Sequence, residues 1–204
     1  MPLQNRVMPT GEIVAHPARG TLTGNRGILH RDDRTLGTAR WRHRSWICCT
    51  LQWKSVRRPV MTGRKWTELF FLDEAVALAA GHRPCALCRR DAYTRFQSAW
   101  TAATGQQAKA PVMDAALHAA RLRSDREQRR FTARLTSLPA GTFVLWQGHP
   151  HLVGESGLQA HAPGGYRIAL AKTRGAEVVV LTPAPIVDVL RAGYQPALHD
   201  TAVI

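Results

Sequence analysis

The sequence predicts an α+β fold in three parts: a small α/β unit over residues 1–104, a helical basic segment over 105–138, and a β-rich unit over 139–204 that a helix closes. Three observations predict it. Residues 69–72 form a short apolar run followed by good helix formers, arginines crowd residues 121–134, and short apolar runs separated by turn residues fill the last third of the chain. A chain of 204 residues is long enough to bury a core of its own.

The first unit contains a strand and a helix that directly precede a cysteine pair. Residues 69–72 are apolar and partly aromatic, as expected of a short buried strand. Asp73 can accept the hydrogen bond of an N-cap, and its charge suits the positive end of the helix predicted over residues 74–80. Gly81 stands where a helix commonly ends in a left-handed residue.

Cys85 and Cys88 follow this helix and are separated by two residues. This Cys-x-x-Cys spacing lets two thiolates bind one metal ion, and tetrahedral thiolate coordination is typical of zinc. A thioredoxin-like redox pair is the alternative interpretation. Pro84 lies directly before the first cysteine, which is less typical of the redox motif, so we predict a zinc site.

The segment resembles the zinc-binding domain of the Ada family of DNA methyl-phosphotriester repair proteins. That domain ends in a strand, a helix and an A-G-[FY]-R-P-C-x-x-C knuckle with basic residues after it. The corresponding residues here are Ala80, Gly81, His82, Arg83, Pro84, Cys85, Cys88, Arg89 and Arg90. The resemblance extends over about residues 45–91 and implies a zinc cofactor, a DNA partner and a role in DNA repair or modification.

The upstream half of the Ada pattern differs in this chain. An Ada-type domain takes its other two zinc ligands from Cys-x3-Cys, and one of those cysteines accepts the methyl group. Here the upstream cysteines, Cys48 and Cys49, are adjacent, so we expect no self-methylation. Neighbours in a strand point to opposite faces, so only one of them should face the metal. We assign Cys49, because it shares a face with Ile47 and Leu51, and we expect this face to be buried and covered by the knuckle.

The fourth metal ligand is open at this stage. His30 ends a short apolar pair and is the first candidate, which makes the predicted ligand set Cys49, Cys85, Cys88 and His30. The alternatives are His43, Cys48 or a water molecule in an open site. Both histidine and cysteine are common zinc ligands, so residue type alone does not decide between them.

The charge balance predicts a polyanionic partner. The chain has 24 arginines and 4 lysines against 14 acidic residues, for a net charge of +14. Arginine binds phosphate bidentately and stacks on bases, so nucleic acid is the simplest partner, with DNA favoured by the resemblance. A GC-rich genome would explain the preference for arginine over lysine, but not the excess of positive charge.

The candidate nucleic-acid contacts are arginines in four stretches of the chain. Residues 40–46 interleave arginine with tryptophan, a combination that can pair with phosphates and stack on bases. Residues 121–134 carry six arginines and too few acids to neutralise them. The predicted contacts are Arg19, Arg26, Arg40, Arg42, Arg44, Arg83, Arg89, Arg90, Arg126, Arg129 and Arg130.

An enzyme acting on nucleic acid, such as a nuclease, a glycosylase or a repair transferase, is the competing function. Residues 19–27 are punctuated by glycines and predict a loop whose backbone could approach a ligand closely. The nearby acid–base candidates are Glu12 and His16, with Asn25 as an orienting group. P-loop, G-x-S-x-G and zinc-deaminase signatures do not occur. A small-molecule enzyme with a basic pocket for phosphorylated substrates is a third interpretation.

The remaining strand predictions in the N-terminal half concern residues 40–72. The alternation in residues 40–46 predicts a strand, as does the composition of 46–53. Residues 57–63 are expected to form a turn, after which residues 66–72 would pair back on 46–53 as a hairpin.

The C-terminal part is expected to be a compact β-rich unit. Residues 142–146 and 151–153 predict a hairpin, residues 167–170 and 177–181 predict further strands, and residues 185–192 predict the closing helix. Runs of 18 apolar residues and a signal-peptide pattern do not occur in the sequence, and the four cysteines fit a reduced metal site better than a disulfide framework. We therefore expect a cytoplasmic protein with no membrane partner.

Overall fold

A computed structural model of the chain describes residues 1–54, 56–57, 60, 66–171 and 175–203. In this part of the chain two six-stranded sheets combine with four α-helices, which confirms the α+β class. No helix of the described residues is long and apolar enough to cross a membrane.

The N-terminal sheet has the strand order β2-β1-β7-β3-β4-β8. Pairing is parallel between β1 and β7 and between β4 and β8, and antiparallel elsewhere. Strands β5 and β6 form a separate two-stranded ribbon. The bounds are β1 Gln4–Val7, β2 Ile13–Ala15, β3 Leu22–Asn25, β4 Ile47–Thr50, β5 Gln52–Trp53, β6 Val56–Arg57, β7 Leu69–Phe71 and β8 Arg83–Pro84.

The C-terminal sheet is antiparallel and has the order β13-β12-β11-β10-β14-β9. The predicted hairpin is confirmed as β10 and β11, and the later predicted strands as β13 and β14. The bounds are β9 Phe131–Arg134, β10 Phe143–Trp146, β11 His149–Val153, β12 Gly157–Ala162, β13 Gly165–Ala171 and β14 Glu177–Val180.

The four helices are α1 Glu74–Ala79, α2 Arg90–Thr104, α3 Ala110–Arg121 and α4 Ala184–Arg191. Helix α1 begins as predicted, because the Asp73 carboxylate accepts a hydrogen bond of 2.9 Å from the Val76 N–H. It ends at Ala79, and Gly81 follows shortly after with a φ of +83° in the left-handed region. Every residue of α1 is buried, so this short helix lies inside the protein.

The hydrophobic core joins the predicted units instead of separating them. One buried cluster contains Phe71 of the N-terminal sheet, Ala77 of α1, and Phe143 and Leu181 of the C-terminal half. A second cluster packs α2, α3 and α4 together. Both clusters draw on residues from either half of the sequence, so the three predicted parts pack as neighbours around shared cores.

The helical basic segment is shorter than predicted. Helix α3 ends at Arg121, the next residues turn, and Arg126 adopts a left-handed φ of +70°. Residues 131–134 then form β9, which pairs with β14. The predicted helix over residues 112–134, with an interruption near residues 124–125, is therefore confirmed only as far as Arg121; residues 131–134 are a strand because pairing with β14 outweighs the local helical pattern.

Two predictions in the N-terminal half are also corrected. Residues 40–46 form bends instead of a strand, and β7 pairs with β1 and β3 instead of with β4. The glycine-rich stretch supplies β3, which lies between β7 and β4 and prevents the expected hairpin. A Cβ on Gly24 would lie 2.3 Å from the carbonyl oxygen of Ile47, so this glycine lets neighbouring strands approach. The turn predicted over residues 57–63 lies mostly outside the described residues.

Candidate metal centre and arginine cleft

Three thiols meet at the edge of the N-terminal sheet. The sulfur atoms of Cys49, Cys85 and Cys88 all lie within 4.8 Å of one another. Sulfur atoms that share one tetrahedral zinc ion are about 3.8 Å apart, since each Zn–S bond is about 2.3 Å long. The three thiols are therefore close enough to hold a metal ion without rearrangement of the backbone.

Strand pairing brings the two halves of this thiol cluster together. Strand β8 pairs in parallel with β4, so Cys48 lies opposite Pro84. The Cys85 N–H then donates a 3.0 Å hydrogen bond to the Cys48 carbonyl. The backbone continues from there into the Cys-x-x-Cys turn, and its two thiols meet the Cys49 side chain on the outer face of β4.

The surroundings of the Cys85 thiol favour its ionised form. Its pKa is lowered to about 5, chiefly because the Cys49 thiol donates to its sulfur, and backbone N–H groups add to the effect. One of them, the Leu87 N–H, lies 3.4 Å from the sulfur. The pKa of Cys49 is raised, first because its thiol proton is held by Cys85. A metal ion would take the place of that shared proton.

The neighbouring Cys48 belongs to the core. Its side chain has no exposed surface, and burial is the main cause that raises its pKa to about 12. The choice of Cys49 over Cys48 is confirmed by the position of the thiols. The reason given for it was wrong, because the buried face of β4 carries Cys48 and the knuckle covers the other face.

The prediction of His30 as the fourth ligand is wrong. Its ring nitrogens lie 3.2 Å from the Thr67 hydroxyl and 3.0 Å from the Gln4 carbonyl, and it is not part of the thiol cluster. His43 is also elsewhere, with its Nε2 atom 2.7 Å from the Asn25 amide oxygen. Among the described residues no fourth cysteine, histidine or carboxylate joins the three thiols, and the residues outside the described ranges include none of these types.

Two predicted phosphate contacts near the knuckle form buried ion pairs. Arg83 binds Asp114 of α3 through two hydrogen bonds of 2.8 Å. Arg89 binds Glu74 of α1 through hydrogen bonds of 2.8 and 2.9 Å. Both arginines are already neutralised inside the protein, so the prediction that they contact nucleic acid is wrong. They attach the knuckle to α1 and α3.

Arg26 is also buried, with only 3% of its surface exposed. Its Nη1 donates to the Gly11 carbonyl at 3.2 Å, and its Nε donates to His82 at 3.4 Å. The guanidinium carbon lies 4.1 Å from the ring centre of Trp46. Burial first, and repulsion by Arg40 second, lower the pKa of Arg26 to about 9. Arg26, one of the predicted nucleic-acid contacts, is therefore a buried residue and not part of the exposed surface.

Arg121 lies next to it and is 1% exposed. Its Nη1 donates to the Gly81 carbonyl at 2.8 Å and its Nη2 to the Arg44 carbonyl at 2.7 Å. Its guanidinium carbon lies 3.7 Å from the Trp46 ring centre. Burial, followed by repulsion from Arg26, lowers the pKa of Arg121 to about 9. This side chain connects the end of α3 to residues 40–44.

The two buried guanidinium groups line a cleft of about 380 Å³. We call it the arginine cleft. Its wall combines two exposed arginines, two glutamates and apolar side chains with the buried pair. The charged and aromatic lining residues are Glu12, Arg26, Arg40, Trp46, Arg121, Arg126 and Glu127.

The exposed arginines of residues 40–44 and 126–130 lie on neighbouring segments. Arg40 and Arg126 line the same cleft, and the Arg129 N–H donates to the Arg121 carbonyl at 2.9 Å. We call this surface the arginine face: Arg40, Arg42, Arg44, Arg126, Arg129 and Arg130, all of them exposed. Arg19 and Arg90, the remaining predicted contacts, are exposed as well.

The two catalytic candidates lie apart. Glu12 precedes β2 and His16 follows it, so an extended strand separates their backbones by about 13 Å. Glu12 accepts a hydrogen bond of 3.0 Å from Thr10 and lines the arginine cleft, whereas His16 is not among the described residues of the cleft wall. His16 accepts a hydrogen bond from the Ala18 N–H at 3.1 Å. The structure therefore does not bring the pair together.

Sequence reasoning missed Glu74 and Asp114, the partners of the knuckle arginines. Asp114 is a lone acid on an otherwise weakly charged helix, which was the available signal.

Comparisons of the chain with protein-family models, with curated proteins and with solved structures found no match. The site geometry is therefore the basis for any functional proposal.

Proposed function

We propose that this protein is a cytoplasmic, zinc-containing nucleic-acid-binding protein, with DNA as the favoured partner and a role in DNA repair or modification. One observation carries the proposal: arginines about 80 residues apart in the sequence meet on the arginine face through the Arg121–Arg44 contact. The six exposed arginines of this face outnumber the two glutamates, Glu12 and Glu127, that line the adjoining cleft, so they are suited to bind phosphates of a polyanion. The Ada resemblance supports DNA over RNA.

The metal in this proposal is zinc, held by Cys49, Cys85 and Cys88. Three thiolates form a soft donor set, which favours zinc over magnesium or calcium. A water molecule or an exogenous ligand would complete a tetrahedral site. Zinc would fix the geometry of the turn that follows β8, and with it the start of α2.

The salt dependence of binding tests the arginine face. Each phosphate contact adds about 0.9 to the slope of log K against log salt on duplex DNA, so removing three contacting arginines should lower the slope by about 2.7. The two test variants are Arg40→Gln/Arg42→Gln/Arg44→Gln and Arg126→Gln/Arg129→Gln/Arg130→Gln. The matched control is Arg31→Gln/Arg95→Gln/Arg191→Gln, which removes three exposed arginines elsewhere.

Phosphate contacts position a protein without reading sequence, so affinity should fall equally on unrelated sequences. Unchanged slopes in both folded triple variants would overturn the proposal. A fall of the same size in the control variant would also count against it, because net charge alone would then explain the binding.

An enzyme on nucleic acid is the second candidate, and one observation favours it. Glu12 lines the same cleft as Arg26 and Arg121, so a carboxylate and two cations face one space. Labelled single- and double-stranded DNA and RNA, including damaged strands, should then yield a product that Glu12→Gln abolishes while binding remains. Absence of product from every strand with the unaltered protein would reject this candidate.

A further inference from the structure

The buried guanidinium groups of Arg26 and Arg121 have no carboxylate partner. The ion pairs among the described residues join other side chains, as Arg83 and Asp114 illustrate. The residues outside the described ranges contain no aspartate or glutamate, so they supply no such partner either. Two positive charges are thus held inside the protein against one indole ring, that of Trp46, and neither makes an ion-pair contact with a carboxylate.

Hydrogen-bond donors of both groups are also unused. The Nη2 atom of Arg26 and the Nε atom of Arg121 are buried and have no hydrogen-bond partner. Buried charged donors are normally satisfied, because leaving one unpaired is costly. Arg83 lies in the same region of the fold, and its Nε and Nη2 donate to Asp114 while its Nη1 donates to the Pro84 carbonyl. The unpaired donors belong to the two arginines that line the cleft.

We propose that the arginine cleft binds a phosphomonoester group, with Arg26 and Arg121 at its base and Arg40 and Arg126 at its mouth. The wall carries four arginines and two glutamates, so its net charge is +2. A phosphomonoester carries a charge of about −1.5 to −2 at neutral pH and three acceptor oxygens. Guanidinium forks match phosphate oxygens in geometry as well as in charge.

The volume of the cleft indicates a ligand larger than a phosphate group. A space of about 380 Å³ lies within the usual range of small-molecule pockets, which begins at about 300 Å³. Apolar lining side chains such as Ile13, Leu36 and Leu122 provide contact for an organic portion. The ligand class is therefore a phosphorylated molecule of about nucleotide size.

The same phosphomonoester can come from two sources. One is the 5′-terminal phosphate of a nucleic-acid strand that lies on the arginine face, and the other is a free phosphorylated small molecule. The inference does not require the proposed nucleic-acid binding, since a free nucleotide fits the same chemistry. It assigns a discrete, saturable site, whereas the arginine face would bind any part of a phosphate backbone.

Titration calorimetry in phosphate- and sulfate-free buffer tests the site. The probes are AMP, adenosine, and one short oligonucleotide with and without a 5′ phosphate. We expect saturable binding that requires the phosphate, and weakening by about tenfold in Arg26→Gln and in Arg40→Gln, the loss expected from one charge-assisted contact. Arg40 is exposed, so its variant keeps the test valid even if Arg26→Gln fails to fold. The control is Arg95→Gln, an exposed arginine of α2 outside the cleft.

Tighter binding of AMP than of the 5′-phosphorylated strand identifies a small-molecule ligand, and the reverse identifies a strand end. Both results support the site. Equal binding of AMP and adenosine, no binding of any phosphorylated probe to the folded protein, or equal weakening by Arg95→Gln overturns it. The Arg42→Gln/Arg44→Gln and Arg129→Gln/Arg130→Gln variants leave all four cleft arginines in place, so their salt slopes on duplex DNA report the arginine face separately. Phosphate-dependent AMP binding with unchanged slopes would reject that function and keep the site.

Discussion

Arg83 and Asp114 form a bidentate ion pair buried inside the protein, with side chains only 5% and 6% exposed. The pair joins β8, the strand of the knuckle, to α3, because Asp114 of that helix lies 31 residues after Arg83 in the sequence. Because α3 ends at Arg121, this contact also fixes the helix that places Arg121 beside Arg26. The knuckle and the arginine cleft therefore share one buried support.

Breaking this ion pair should destabilise the protein strongly. Arg83→Met leaves the Asp114 carboxylate buried and unpaired, and we expect the free energy of unfolding to fall by about 3–5 kcal/mol. The double variant Arg83→Met/Asp114→Leu removes both charges and should recover most of that loss. Urea denaturation of the three proteins measures it. A double variant as unstable as the single one would show that the charges are not the source of the loss.

Replacing Arg26 should have the opposite effect. Arg26→Met keeps most of the side-chain volume and removes a buried charge that has no carboxylate partner. We expect the free energy of unfolding to rise by about 1 kcal/mol in anion-free buffer, because desolvation of the charge outweighs its contacts with Trp46 and Gly11. The measurement is the same urea series, without phosphate or sulfate. A fall in stability would mean that those contacts dominate.

Metal content should depend on three of the four cysteines. Purified protein should hold about one zinc per chain, and Cys49→Ser, Cys85→Ser or Cys88→Ser should each lower this content. Cys48→Ala is the matched control, because that thiol lies in the core and should leave the zinc in place. Elemental analysis measures the content. Full zinc in Cys85→Ser/Cys88→Ser would contradict the assignment, as would loss of zinc from a folded Cys48→Ala variant.

A histidine with buried ring nitrogens should make stability fall in acid. Both ring nitrogens of His161 lack a hydrogen-bond partner, its ring packs against Phe143 and Tyr166, and burial lowers its pKa to about 4. The unfolded chain therefore takes up this proton first. Above about pH 6.5 this histidine does not lower the free energy of unfolding. As the pH falls from about 6.5 towards 4, it lowers the free energy of unfolding by a total of about 3 kcal/mol.

The variant His161→Phe should remove that part of the pH dependence. Thermal unfolding between pH 7 and pH 4 measures it, and the same change at the exposed His149 serves as the control. An unchanged acid slope in His161→Phe would show that other groups take up the proton.

The elements that the sequence predicted well depend on neighbours in the chain. The helix after Asp73 begins with a cap three residues from its partner N–H and is followed by a glycine that tolerates a left-handed φ. The Cys85–Cys88 pair is fixed by its own spacing, and the hairpin of β10 and β11 by its turn. Such features need only local propensity and hydrogen bonding, which residue types reveal.

The arginines show what only the tertiary structure decided. Composition gave a net charge of +14, and this excess does not depend on where each side chain lies. Burial and pairing do: Arg83 lies inside against an acid 31 residues away, Arg26 lies inside without one, and Arg40 is exposed. His30 failed as a ligand for the same reason, since strand order placed it beside Thr67. Long-range packing sets the partner of each side chain, so identical residues within one sequence have different roles.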